Sequence, residues 1–252
     1  MRRKWRLLID VGDGYWNMAM DEAMLLLKDR GLIPNTVRLY VIRPSAVTIG
    51  YFQKLKEAVN LVYVTTNNIP VVRRITGGGS VYHDEFGEVT YCVVSDISEF
   101  PGNIEDSYRK ICSVIVRAIE KLGLKAEFKP INDVIVNGKK VSGSAQARKK
   151  RALMQHGTLM YNTDLEVLAK VLKAPKEKLK IHGVATIFER VTTLSRELGR
   201  EVRREEVVDA LVKAFEKEFN IRLVRSNYLE EERKLAQKLL RKYTSKEWLY
   251  RR

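Results

Sequence analysis

The segment Arg73-Arg-Ile-Thr-Gly-Gly-Gly-Ser-Val-Tyr-His-Asp84 carries the strongest chemical signal in the sequence. Three consecutive glycines lose more conformational freedom on folding than other residues. Gly77, Gly78 and Gly79 therefore point to a tight turn or to close approach by a ligand. Backbone N–H groups without a Cβ shield can form an anion-binding nest. Arg73 and Arg74 stand directly before it and could reach a phosphate or carboxylate bidentately. The pattern is neither a P-loop nor GxGxxG. The competing reading is a hairpin turn with solvated arginines.

A second segment, Asn132-Asp-Val-Ile-Val-Asn-Gly-Lys-Lys-Val-Ser-Gly-Ser-Ala-Gln146, has an acidic start and a basic, small-residue return. Asn137-Gly138 favours a two-residue I′ turn, so the segment predicts a hairpin. Strict alternation along the return strand puts Lys140, Ser142 and Ser144 on one face and Lys139, Val141 and Gly143 on the other. Small neighbours beside a lysine suit a crevice that receives a ligand. For Lys139 and the run Arg148 to Arg151 a solvated surface is the better reading; for Lys140 the two are close. A third segment, Gln155-His-Gly-Thr158, lies on a predicted strand. A lone strand histidine such as His156 is more often a satisfied structural residue than a catalyst. The same holds for His83 and His182. The motif around His83 raises it; nothing raises His182.

The elements that must position these residues follow from spacing. Asn17 to Arg30 predicts a helix capped by Asn17 and ended by Gly31. Val37, Leu39 and Val41 alternate as in a half-buried strand, and Val47 to Ile49 is a second short one. A short helix is expected around Glu57 to Thr65, and Pro70 to Arg74 is a strand running into the glycines. Ser80 to Asp84 and Val89 to Ser95 are rich in β-formers. Asn103 to Leu122 is the clearest helix, with Asn103 and Asp106 set for a capping box. Ala152 to Tyr161 predicts a strand. The rest reads as helices at Asp164 to Leu172, Arg204 to Phe219 and Glu230 to Tyr243, with a strand at Ile221 to Val224. The fold class expected is α/β (α+β): a mixed, largely antiparallel sheet with packed helices. Strict βαβ alternation is absent, which disfavours a Rossmann arrangement. No linker interrupts the chain, so residues 1–252 predict a single domain, its helical part from about 163 packed on the same sheet.

Composition bounds the partners. The chain has 252 residues, 46 Lys+Arg, 31 Asp+Glu and a net charge of +15, with 45% hydrophobic residues. That is enough apolar surface for a packed core. No apolar run approaches the roughly 18 residues a membrane span needs, and a soluble, cytoplasmic protein is expected. The charge suits nucleic acid, an acidic protein or an anionic substrate. Helix-turn-helix, aromatic RNA-binding and zinc signatures are missing, so a basic nucleic-acid binder is the weakest option. The two cysteines, Cys92 and Cys112, exclude a disulfide scaffold.

Together the segments resemble the lipoate–protein ligase A family of the wider biotin/lipoate ligase and octanoyltransferase superfamily. The likeness rests on RRxTGGGxVxHD at Arg73 to Asp84, NDV at Asn132 to Val134, KKVSGSA at Lys139 to Ala145 and HGTL at His156 to Leu159. It covers nearly the whole chain, in order and spacing. The resemblance implies the class II synthetase-like catalytic fold of that superfamily. It also implies activation of lipoate by ATP and Mg²⁺ to lipoyl-AMP, then transfer to a lysine of a 2-oxoacid dehydrogenase E2 lipoyl domain or glycine-cleavage H protein. Lys140 matches the lysine that holds the lipoyl carbonyl and α-phosphate. Arg73, Arg74, Thr76 and Gly77 to Gly79 match the lipoate and adenylate loop. Asn132 and Asp133 match a nucleotide-side pair, with Asp133 a candidate Mg²⁺ ligand. His83, Ser142, Gly143, His156, Gly157 and Thr158 are expected around the same pocket.

Two departures from the resemblance bear on activity. Octanoyltransferases of the superfamily use a cysteine, either before the glycine–lysine hairpin or just before the HG strand. Here Phe128 to Asp133 and Arg151 to His156 contain none, which disfavours the alternative of an octanoyl- or lipoyl-transferase. The chain also stops before the small accessory domain of full-length ligases, so a separate accessory protein is an expected partner. A smaller difference is Glu88, where many relatives carry Asn. Beyond the residues assigned to the intermediate, the remaining lysines and arginines suit docking of an acidic lipoyl domain.

Overall fold

The computed structural model describes residues 2–173 and 187–252; His182 lies outside them. Eleven strands make two sheets among the described residues. They are β1 (Arg3–Gly12), β2 (Thr36–Ile42), β3 (Ala46–Ile49), β4 (Val71–Arg73), β5 (Val81–His83) and β6 (Glu88–Asp96), then β7 (Glu127–Lys129), β8 (Asp133–Val136), β9 (Lys139–Arg148), β10 (Ala152–Met160) and β11 (Ile221–Arg225). The large sheet runs β11-β1-β2-β6-β10-β9-β8-β7, and the small sheet β4-β3-β5. β1 is parallel to both β11 and β2, and every later pair in the large sheet is antiparallel. The mixed, largely antiparallel sheet with packed helices is the fold class expected from the sequence.

Helices cover both faces of the large sheet. On one lie α4 (Ile104–Lys121) and α8 (Arg204–Glu218), over Leu39, Tyr91, Val93 and Leu153. On the other lie α1 (Gly14–Asp29) and α9 (Glu230–Tyr243), over Leu8, Tyr40, Cys92 and Met154. This two-sided cover explains β2, in which all seven residues are buried and not alternate ones. It also explains why β1 escapes a reading by periodicity. Trp5 and Leu7 enter one core and Leu8 the other, so no polar face marks the strand. The small sheet has its own apolar cluster beneath α2 (Leu55–Ala58), α3 (Leu61–Thr66) and α5 (Leu165–Val171).

Local chemistry fixes the ends of these elements. Asn103 and Asp106 close the expected capping box on α4, worth about 1 kcal/mol. Asn137 and Gly138 turn the β8–β9 hairpin with φ of 49° and 79°, the left-handed pair an I′ turn requires. For α1 the expected cap is corrected. The helix begins at Gly14, and Asp13 accepts from the Trp16 N–H. Asn17 is buried one turn inside and donates to the Gly12 and Asp13 carbonyls. Among the described residues no helix is long and apolar enough to cross a membrane.

Candidate active site

The small sheet faces the α1 side of the large sheet, and a cavity of about 170 Å³ lies between them. Its polar wall includes Arg74, Gly78, Gly79, His83, Asn132, Lys140, Gly143, His156, Gly157 and Thr158, all expected from the sequence. Its apolar wall holds Met18, Val81, Met160, Leu168, Leu172 and Val191. Three segments distant in sequence therefore meet because β5, β9 and β10 all border one space.

Lys140 reaches the cavity by a route that strict alternation misplaces. The register pairs Val134 with Ser142 but Ile135 with Lys140, so Val141 is an extra residue on β9. Such a bulge reverses the parity of the strand beyond it. Lys140 therefore shares a face with Gly143, and Ser142 and Ser144 turn toward α4. This corrects the expected grouping of Lys140 with the two serines. A Cβ on Gly143 would come within 2.5 Å of Lys140 Cε. Ser142 is fully buried, and its Oγ has no hydrogen-bond partner among the described residues. Ser144 Oγ sits 2.6 Å from Tyr91 Oη. Thr192 N–H donates to the Lys140 carbonyl at 3.0 Å and pins the strand from the other side.

Asp133 faces Lys140, with Oδ1 2.7 Å from Nζ. That pairing bears on the Mg²⁺ expectation. Among the described residues no three His, Cys, Asp or Glu side chains cluster in a way that could hold a metal ion. Asp133 is a single carboxylate paired with a lysine, so a Mg²⁺ ion held there would draw its other oxygen ligands from a bound phosphate and water. Asn132 caps the same corner. Its side-chain amide donates to the Ser144 carbonyl, and its own carbonyl accepts from Ser144 N–H at 2.9 Å.

The two arginines before the glycines divide their work. Arg73 does not line the cavity. Its fully buried guanidinium donates to the carbonyls of Gly50, Tyr51 and Gln53, and to Trp248 and Leu249 of α10 (Lys246–Leu249). Trp248 Nε1–H returns a bond of 2.7 Å to the Arg73 carbonyl. Five backbone acceptors occupy this cation, so its role here is to clamp the loop after β3 and the C-terminal turn. Arg74 does line the cavity and holds the glycine loop directly. Nη2 donates to the carbonyls of Gly77 and Gly79, both at 2.7 Å. Burial lowers its pKa to about 10. It remains a cation near neutrality.

Of the three glycines only Gly78 is left-handed, with φ of 88°. Gly50 meets the loop from behind. A Cβ there would sit on the Gly78 carbonyl oxygen and 3.0 Å from its carbon. Gly77 lies apart from the cavity lining, beside the exposed Phe52 ring. Thr76 is fully buried behind the loop. Its Oγ1 accepts from Arg74 Nε at 3.0 Å and is 2.8 Å from His156 Nε2.

The histidines are wired into the protein. His156 Nδ1 is 2.8 Å from Asp21 Oδ2. Asp21 also accepts from Tyr40 Oη at 2.9 Å and Arg38 Nη1 at 2.8 Å. Burial pushes the His156 pKa down and the Arg74 charge pushes the same way, against the pull of Asp21. His83 Nδ1 is 2.9 Å from Glu88 Oε2, and its Nε2 is 3.0 Å from Thr48 Oγ1. Asp21, Tyr40, Thr48 and Glu88 escaped the sequence reading as site residues. A signal existed for Asp21: it is an acid within the apolar run Met18 to Leu27, and buried carboxylates are rarely unpartnered.

The cysteines lie outside the cavity lining. Cys92 and Cys112 are both 0% exposed. Burial raises both thiol pKa values. Cys112 lies on α4, with Sγ 3.6 Å from Ser144 Oγ. The run after β9 behaves as surface: Lys149, Lys150 and Arg151 are exposed. Arg148 is half-buried and donates to Ser107 Oγ.

A family model described as the lipoyl protein ligase A/B catalytic domain matches residues 13–216. The octanoyltransferase LipM of Kyrpidia tusciae is 36% identical, over 98% of this chain and 99% of that protein. A bi-partite lipoate protein ligase, from a structural study of an archaeal lipoylation system of Thermoplasma acidophilum that includes its E2 lipoyl domain, superposes with a TM-score of 0.85. It is 33% identical and covers 98% of this chain and 96% of that one. A lipoate-protein ligase A crystallised with ATP also gives a TM-score of 0.85 at 31% identity, covering 97% and 98%.

Proposed function

As this chain belongs to the lipoyl protein ligase A/B catalytic domain family, we propose that it transfers a lipoyl or octanoyl group to a protein lysine, and that it activates the acyl carboxylate with ATP. In the first step the lipoate carboxylate attacks the α-phosphorus, and the bond to pyrophosphate breaks. In the second, the acceptor amine attacks the acyl carbonyl, AMP leaves and the amine loses a proton. Both steps develop charge on phosphate oxygens. Lys140, paired with Asp133, and the Arg74-held glycine loop are the groups on this cavity that offset it. Asn132, Gly143, His83, His156, Gly157 and Thr158 stand on the same wall. Met160, Leu168 and Leu172 are assigned to the acyl tail. Mg²⁺ would enter as the counter-ion of ATP.

One observation carries adenylation over an acyl-cysteine: neither cysteine of the chain lines the cavity. A second reading, octanoyl or lipoyl transfer from a carrier protein without ATP, has a different support. The curated relatives are named octanoyltransferases, which favours that alternative over the ligase expected first from the sequence. The acceptor proposed is an E2 lipoyl domain, the partner named for the Thermoplasma acidophilum ligase, or a glycine-cleavage H protein. A separate accessory protein is a further proposed partner, and residues 1–252 are proposed to act as one catalytic unit.

The deciding experiment is mass spectrometry of a lipoyl domain incubated with the chain, in parallel with lipoate plus ATP and with octanoyl-carrier protein. Each arm is run with and without an accessory small-domain protein. ATP-dependent lipoylation supports the ligase. Octanoylation without ATP, with no adenylation in either arm, overturns it in favour of the transferase.

A further inference from the structure

The two histidines on the cavity wall repeat one arrangement. Asp21 Oδ2 lies 2.8 Å from His156 Nδ1, and His156 Nε2 lies 2.8 Å from Thr76 Oγ1. Glu88 Oε2 lies 2.9 Å from His83 Nδ1, and His83 Nε2 lies 3.0 Å from Thr48 Oγ1. Both threonine hydroxyls then accept from the same guanidinium, through Arg74 Nε at 3.0 Å and Nη1 at 3.3 Å. The third nitrogen of that guanidinium, Nη2, holds the glycine loop carbonyls. Two carboxylate–histidine–threonine relays, with one histidine on each sheet, thus converge on one cation.

Hydrogen-bond counting fixes the protons. A guanidinium can only donate, so each threonine oxygen is an acceptor toward Arg74. Each hydroxyl has one proton left, and the histidine Nε2 is the acceptor within reach. Nε2 must then be unprotonated, and Nδ1–H points at the carboxylate. Thr90 supports this at His83. Its hydroxyl is spent on Glu88 Oε1 at 2.7 Å, so its oxygen can only accept from Nδ1, 3.3 Å away. The opposite tautomer would leave a hydroxyl proton buried without an acceptor and put two lone pairs, on Nδ1 and the carboxylate, face to face.

We propose that Asp21 and Glu88 are positioning residues: each locks one histidine as the Nδ1–H tautomer, so that Thr76 and Thr48 jointly orient Arg74 beneath the glycine loop. Neither carboxylate lines the cavity, and both are 1% exposed, so they act through the histidines. The functional part rests on the acyl-transfer reading above. The tautomer part does not, since it concerns the chain alone.

The test combines both. The protein has three histidines, so long-range ¹H–¹⁵N correlation spectra are tractable, with His182→Gln supplying the assignment. At neutral pH, His83 and His156 should both give the neutral Nδ1–H pattern. Glu88→Gln, whose amide can donate to Nδ1, should switch His83 and leave His156 unchanged. Asp21 also pairs with buried Arg38, and its variant could fail to fold for that reason, so Thr76→Val and Thr48→Val test the same relays without removing a charge. Each should shift the Gly77 to Gly79 amide resonances and raise the KM for the acyl substrate about tenfold, with kcat within about twofold. An Nε2–H or doubly protonated histidine in the wild type overturns the proposal. So do unmoved glycine amides in both valine variants. Moved amides with no turnover on any acyl donor would uphold the relay and sink the acyl-transfer reading instead.

Discussion

Lys140 and Gly143 share one face of β9 because Val141 is bulged out between them, and the lysine stem lies where a Cβ on Gly143 would be. The crowding atoms are the far end of a flexible side chain. Gly143→Ala should therefore cost little stability, under about 1 kcal/mol, yet push Lys140 off Asp133. Expected is a loss of lipoylation rate of about 10²-fold, approaching that of Lys140→Ala, with an unchanged urea midpoint. Wild-type rate in Gly143→Ala would mean that the lysine needs no fixed seat.

Gly50 predicts the opposite balance. Its missing Cβ is occupied by backbone, the Gly78 carbonyl, which cannot swing aside. Gly50→Ala should cost about 2–4 kcal/mol and displace the glycine loop. Gly79→Ala, with open space around the added carbon, should cost far less. Denaturant titration of both variants checks the order. A Gly79 variant less stable than the Gly50 variant would contradict the packing described.

The acid limb of stability follows from Asp21 and His156. For Asp21, burial raises the carboxyl pKa, but the His156 hydrogen bond and the Arg38 charge outweigh it, and the net shift is downward. For His156 the net shift is also downward, led by burial. Both folded values lie below the unfolded ones, about 3.9 for Asp and about 6.5 for His. Their contributions are present above those values and fade as pH falls through the folded ones, because the unfolded chain then binds more protons. The thermal midpoint should hold from about pH 8 to 6.5 and decline below. In His156→Gln the first part of that decline should shrink. Parallel profiles for the two proteins would show that His156 is not held neutral.

Both thiols are buried away from the cavity lining, so Cys92→Ser and Cys112→Ser should keep their activity below the melting temperature. Core serine substitution is expected to lower stability by about 1–2 kcal/mol. Loss of acyl transfer in either folded variant would restore an acyl-cysteine route.

Much of the fold was legible because its signals are local. The α4 capping box, the Asn137-Gly138 turn and the β10 strand need only their own residues. β1 was not legible, since burial on both faces erases alternation. The site was readable in part for the same reason. Glycines and neighbouring arginines announce a loop, but nothing local says which arginine turns inward. Arg73 is claimed by carbonyls from Trp248 and Leu249, a partnership decided by tertiary packing. The Lys140 face was misread because a bulge changes parity without leaving a mark in composition.

The bond between Trp248 Nε1 and the Arg73 carbonyl joins residues 175 positions apart. A ribosome delivers the chain from its N-terminus, so the strand leading into the glycine loop is synthesised long before the indole that braces it. Closing so long a loop is entropically costly and comes late. Full seating of this loop therefore waits for the synthesis of Trp248, and a nascent chain stalled before it would carry every residue of the cavity wall without this brace.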